Sequence, residues 1–317
     1  MSLVLRGSMV ALVTPFKNGG IDEATLKRLV EFHVANGTSA LVPCGTTGES
    51  ATLSHEEHDR VIEVVIQAAR GRISVIAGTG SNNTQEAIRL TKHAKQVGAD
   101  GALLISPYYN KPTQRGLYLH FKAVAEAVDL PLIPYNIASR TAVNIEPETL
   151  AKLAADCPNI VAVKESSGNL EQMSRILQLT NRRLVIISGD DALTLPVLAI
   201  GGQGVISVVA NLVPGDVAAM IRAFEQGKME EAITWHGRLL PLVRSMFIET
   251  NPIPVKTAMG FLGMIDPTLR LPLCDMEAAN LDKLRAALAA FGLRKETVKF
   301  GSTTKATPIR KRLRTRA

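Results

Sequence analysis

Eight short apolar runs, most of them rich in β-branched residues, recur along the chain, and each is followed by a stretch long enough for a helix. They lie near Met9–Phe16, Ala40–Gly45, Ile73–Gly78, Gly101–Ser106, Pro131–Asn136, Ile160–Ser166, Leu184–Gly189 and Gly204–Val208. Their starts are roughly 20 to 33 residues apart, about one strand–helix unit each. In EATLKRLVEFHVANG and TQEAIRLTKHAKQVG, apolar residues recur at i, i+3 and i+4, and a glycine closes the segment. Ser54 and Glu57 form a capping-box pattern at the head of SHEEHDRVIEVV. Eight such units predict an α/β chain of the closed (β/α)8 TIM-barrel class. An open sheet is disfavoured because no GxGxxG follows the first run. After Val208 the strand signal stops, and from about Pro214 to Leu293 the pattern is helical only. The expected organisation is a barrel over 1–224, a C-terminal helical domain over 225–293 and a basic tail over 294–317.

Charge narrows the function classes. The formal net charge is +7, but residues 294–317 hold nine Lys/Arg and one Glu, a balance of +8, so the preceding 293 residues sum to −1. A nearly neutral body gives no basic surface for nucleic acid. The tail lacks apolar periodicity and reads as a disordered appendage, able at most to bind polyanions weakly. No apolar run approaches membrane-spanning length, and the first residues lack a secretion-signal pattern. Three cysteines, Cys44, Cys157 and Cys274, with no CxxC pair, fit a reducing, cytoplasmic setting and argue against a zinc site.

A barrel of this class carries its chemistry at the C-terminal ends of its strands. There the unusual residues gather: CGTTGES, SPYYNKP, PYNIASRT, VKESSG and SGDD. Three of the four tyrosines (Tyr108, Tyr109 and Tyr135) are among them. Lys164 ends the apolar run IVAVKES, and strand alternation puts Ile160, Ala162 and Lys164 on one face, with Val161 and Val163 on the other. If that face lines the barrel mouth, desolvation favours the neutral amine, which attacks carbonyls. Tyr135 and Tyr109 are candidate proton carriers, with the Thr47 hydroxyl able to link them; each phenol could equally be a packing residue with one hydrogen bond. The GTTG amides suit a small carboxylate, and Arg140 is either a fork for a second carboxylate or a surface arginine. His55 and His58 form HEEH, three apart rather than the four of a zinc protease, so no metal is expected. Asp190 and Asp191 precede a helix and read as acidic caps. Cys44, with no histidine partner, reads as packing.

GTTGES, SPYYNKP, YNxxSRT, VKESSG, SGDD, GGQGVISV, NPIPVK and LRLPL stand in an order that resembles the pyruvate-dependent aldolases, specifically the dihydrodipicolinate synthase family, over about residues 5 to 293. The resemblance implies that Lys164 forms an imine with pyruvate without metal or organic cofactor. It implies that Thr47, Tyr135 and Tyr109 relay protons, with Tyr109 reaching a neighbouring subunit of a homotetramer, a dimer of dimers. Amides of Thr46 and Thr47 would hold the pyruvate carboxylate, Ile206 would lie against the site, and Arg140 would bind L-aspartate 4-semialdehyde. The positions matching the family's L-lysine inhibitor site are Ser50, Ala51, His55, His58, Asn82, Glu86 and Tyr108. The chain departs from the family pattern at Ala138 and near Ala142, and Pro134 is unexpected in a strand because it removes a ladder donor. Competing readings are an N-acetylneuraminate or keto-deoxy-sugar acid aldolase, a catalytically silent lysine-binding regulator, and a polyanion-binding protein acting through its tail.

Overall fold

The structure, a computed structural model, describes residues 3–295. Its strands are β1 (Gly7–Ala11), β2 (Phe16–Lys17), β3 (Gly20–Ile21), β4 (Ala40–Val42), β5 (Ser74–Gly78), β6 (Gly101–Ile105), β7 (Leu132–Asn136), β8 (Ala162–Glu165), β9 (Val185–Ser188) and β10 (Gly204–Ser207). β2 and β3 pair as a small hairpin, and the other eight close a barrel in the order β1-β10-β9-β8-β7-β6-β5-β4. Every barrel pairing is parallel. The expected (β/α)8 architecture is the one observed.

The first strand is shorter than its apolar run. It ends at Ala11, and Phe16 belongs to the hairpin. Beyond Ala11 only Leu12 N–H still reaches a neighbouring strand, donating to the Val42 carbonyl of β4, and a side chain takes over: Asn211 Nδ2 donates to the Ala11 carbonyl, and Val13 N–H donates to Asn211 Oδ1. Pro15, without an N–H, cannot extend a ladder.

The barrel interior is filled by Met9, Ala11, Ala40, Val42, Ile76, Leu103, Ile133, Tyr135, Ala162, Ile187 and Ile206. Alternation fails at one place. Ile160 packs with Val163 among the helix-facing side chains, while Val161 and Ala162 both pack toward the interior. The expected common face of Ile160, Ala162 and Lys164 is therefore corrected for Ile160. The register shows why: Leu132 bridges Ile160, an offset of 28, whereas Tyr135 pairs with Lys164, an offset of 29. One extra residue on the β8 side is a β-bulge. Pro134 lies opposite it, and the Val161 carbonyl accepts from Val185 N–H of β9 instead. Proline is tolerated at bulges because no donor is demanded of it there.

After β10 come the helices Pro214–Glu225, Met229–Ser245, Ile253–Phe261 and Ala278–Phe291. They do not form a separate core: one cluster of buried side chains runs from Val10 and Val205 through Trp235 and Met259 to Phe291. The basic tail falls almost wholly at 296–317, outside the described residues.

Three buried histidines make the fold sensitive to acid. Burial pushes His33 down to about 3, and His58 and His120 to about 4. An unfolded chain binds protons at these rings from about pH 6.5 downward, whereas the native chain resists until much lower pH. Stability is therefore complete above pH 6.5 and is lost as pH falls toward 4. We expect urea unfolding at pH 7.5, 6 and 5 to show a falling midpoint, on the order of 1–3 kcal/mol per histidine at the acid end, and His120→Gln to flatten the curve.

Candidate active site

Lys164 and Tyr135 are partners in register across β8 and β7. Both are buried, and the Lys164 Nζ lies 4.0 Å from the Tyr135 ring centroid. The bulge below Lys164 sets that register. Beside them the chain passes through Gly189, where a Cβ would stand 2.9 Å from Lys164 Cε, too close for any side chain to fit without moving the lysine. Ile206, on β10, is buried in the same interior layer.

Behind Lys164, the next residue locks the strand end. Glu165 is fully buried, and its carboxylate accepts from Asn136 Nδ2 at 3.0 and 3.2 Å, Gln172 Nε2 at 3.1 Å and Ser167 N–H at 2.7 Å. Nothing in the sequence had pointed to this network, although an acid directly after an apolar strand was a usable signal.

GTTGES forms a tight turn after β4. The amides of Gly48, Glu49 and Ser50 donate to the carbonyls of Gly45 and Thr46. Those of Thr46 and Thr47 have no backbone acceptor among the described residues, which suits them to hold an anion. The buried Thr47 hydroxyl accepts from Asn251 Nδ2 at 2.9 Å, so its own proton is available to the site. Asn251 serves Arg140 as well: the Arg140 Nη2 donates to its carbonyl at 3.1 Å. Asn251 was missed as a site residue because 204 positions separate it from Thr47. The loop is tied down further by a buried ion pair, Lys256 Nζ to Glu49 Oε1 at 2.5 Å, in which burial lowers the lysine against the pull of Glu49.

Arg140 lies on a four-residue helix, Ala138–Thr141, and is itself exposed. Ala142 ends that helix at φ 59°, in the left-handed region that glycine occupies without cost.

A cavity of about 450 Å³ opens next to this corner. Thr46 and Arg140 line it together with Ser50, Ala51, His55, His58, Glu86 and Tyr108. His55 Nε2 lies 2.6 Å from Glu86 Oε1, and the Ser81 hydroxyl donates to the other Glu86 oxygen, holding that carboxyl below its usual range. Burial pushes the Tyr108 phenol up. Asn82 does not line the cavity; its amide holds the Tyr108 carbonyl at 3.2 Å. Tyr109 stays apart from Tyr135 and Thr47: it is 90% exposed, at φ 72°.

Two further expectations resolve differently. Asp190 caps the following 3₁₀ turn by accepting from Ala192 N–H, as an acidic cap should. Asp191 does not: buried, it accepts from Ser207 Oγ at 2.5 Å and from the amides of Val208 and Val209, closing the end of β10. Burial raises its carboxyl. Cys44 is buried, its thiol pushed up by desolvation. Among the described residues no three His, Cys, Asp or Glu side chains converge as a metal site.

The Dihydrodipicolinate synthetase family model matches residues 4–291. The chain is 56% identical over 290 residues to the 4-hydroxy-tetrahydrodipicolinate synthase of Syntrophus aciditrophicus (strain SB), covering 92% of this chain and 99% of that one. Dihydrodipicolinate synthase from Aquifex aeolicus superposes with a TM-score of 0.90 at 55% identity, covering 91% and 98% of the two chains. The enzyme from Cyanidioschyzon merolae, solved with lysine bound, gives 0.88 at 46% identity, covering 91% and 99%.

The hydrogen bonds at Asn251 predict a measurable cost. Asn251→Ala leaves the buried Thr47 hydroxyl without its donor, and unfolding in urea should show a loss of about 1–3 kcal/mol. An unchanged midpoint would show that Asn251 does not hold the loop.

Proposed function

Because the chain belongs to the dihydrodipicolinate synthetase family, we propose a residue-level chemistry for its site, in which Lys164 carries pyruvate as an imine. The protein is a lyase that condenses pyruvate with L-aspartate 4-semialdehyde to 4-hydroxy-tetrahydrodipicolinate, the first committed step of lysine biosynthesis by the diaminopimelate route. Such identity to synthases sets aside the sugar-acid aldolases and the silent regulator.

The observation that carries the mechanism is the buried Lys164 amine against the Tyr135 ring at the barrel mouth. The amine adds to C2 of pyruvate, the carbinolamine loses water, and an imine forms. Loss of a proton from C3 gives an enamine, which attacks the aldehyde carbon of the second substrate. The amino group of that adduct then attacks C2, closes the ring and releases Lys164, with one water lost overall. The imine itself is the electron sink, so the scheme calls on no metal or organic cofactor.

Tyr135, Thr47 and Tyr109 move the protons. Thr47 is supported by its free hydroxyl proton. Tyr109, exposed in one chain, serves the site of a neighbouring subunit within a homotetramer built as a dimer of dimers. The Thr46 and Thr47 amides receive the pyruvate carboxylate, Ile206 packs against the bound substrate, and Arg140, steadied by Asn251, receives the carboxylate of the aldehyde. Residues 1–224 form the catalytic barrel and 225–293 the helical domain that completes it. A cytoplasmic location fits a biosynthetic enzyme in which no helix among the described residues is long and apolar enough to cross a membrane.

The cavity of Ser50, Ala51, His55, His58, Glu86 and Tyr108, with Asn82 behind it, receives L-lysine as an inhibitor. Support comes from the lysine-bound relative and from the chemistry: Glu86 faces an ammonium, and hydroxyl and imidazole groups face a carboxylate.

Borohydride trapping with pyruvate, followed by peptide mass mapping, tests the imine. Label should fall on Lys164; label on another lysine, or none in folded protein, overturns the mechanism. Millimolar L-lysine should depress turnover, with Glu86→Ala weakening inhibition by about tenfold or more. Turnover that ignores lysine removes the effector site.

A further inference from the structure

Ser166 follows Lys164 by two residues, so the two share a face of the same strand end. Its backbone remains in the ladder, donating to the Asn136 carbonyl at 2.9 Å. Its Oγ is buried yet has no hydrogen-bond partner. Buried hydroxyls are nearly always satisfied, so each exception calls for a reason. Two others, on Ser8 and Ser39, lie at the opposite end of the barrel, where β1 and β4 begin. Ser166 stands instead beside the nucleophile. A Cβ on Gly189 would lie 1.8 Å from Ser166 Oγ and 2.9 Å from Lys164 Cε, so these two atoms are no further apart than the sum of those distances, 4.7 Å. Tyr135 flanks Lys164 on the β7 side, and Ser166 Oγ stands against Gly189 just past β9, so the lysine chain has an aromatic ring beside its amine and an unengaged hydroxyl close to its Cε.

We infer that Ser166 is a further catalytic residue, its hydroxyl hydrogen-bonding the oxygen on pyruvate C2 while the imine forms. As the Lys164 nitrogen bonds to C2, the carbonyl π pair moves onto that oxygen. Ser166 donates to it there; the oxygen takes up the two protons that the amine gives up, one as the carbinolamine forms and one as the C–O bond breaks, and leaves as water. A donor aimed at developing charge acts most strongly in a dry site. This inference rests on Lys164 being the imine-forming lysine.

The test compares the rate of borohydride-trappable imine formation, with pyruvate alone, in the natural protein and in Ser166→Ala, alongside thermal unfolding of both. The variant should trap pyruvate at least about tenfold more slowly with an unchanged melting temperature, since Oγ has no partner to lose. Equal trapping rates, or a slowing matched by lost stability, overturn the role of Ser166. Absence of label on Lys164 in the natural protein overturns the imine reading beneath it, a separate failure.

Discussion

The ion pair between Lys256 and Glu49 is the constraint on which the arrangement of the site rests. Neither side chain meets water. Removing two charges from solvent costs several kcal/mol each, recovered only with close geometry and further hydrogen bonds. Both conditions are met. Lys256 also donates to the Thr14 carbonyl and lies 4.3 Å from the Phe16 ring centroid, and Glu49 also accepts from Arg270 N–H. The Thr14 hydroxyl in turn holds the Gly48 carbonyl at 2.7 Å. The turn that presents Thr46 and Thr47 is thus clamped between the hairpin region and the C-terminal helices. Those helices are part of the site, as the continuous core between them and the barrel also requires.

The geometry at Lys164 depends on a second constraint of a different kind. A bulge shifts β8 by one residue against β7, and this shift pairs Lys164 with Tyr135. With the unshifted register, Tyr135 would face Val163, which packs outward among the helices. Pro134 marks the place, because at the bulge the neighbouring strand makes no demand on its nitrogen. Gly189 then leaves the space through which the lysine chain runs.

What could be read in the sequence was what is local or periodic. The spacing of apolar runs reports βα units directly, and the functional residues of a barrel collect where strands end, so Lys164, Tyr135 and the GTTGES turn stood out. Ala142, at a left-handed position, shows that a departure from the family pattern can be a local backbone cost and leave the fold intact. The bulge was invisible because alternation assumes an unbroken register, and Pro134 was its only trace. Asn251 and Lys256 were passed over as residues in their own right because their partners lie 204 and 207 positions away. Asp191 was misassigned because a carboxylate before a helix serves as a cap or as a buried anchor with the same local sequence.

Closure of the barrel carries a consequence for the order in which a nascent chain can become active. β1 pairs with β4 on one side but with β10 on the other, so the first strand waits for residues 204–207 to emerge before its second edge is covered. Asn211, which satisfies the backbone just beyond β1, arrives later still. Asn251 and Lys256, which shape the turn around Thr47, come last. Lys164 and Tyr135 leave the ribosome long before the residues that complete their surroundings. The Lys164 amine is therefore made early and housed late, and its surroundings are complete only when the C-terminal helices dock.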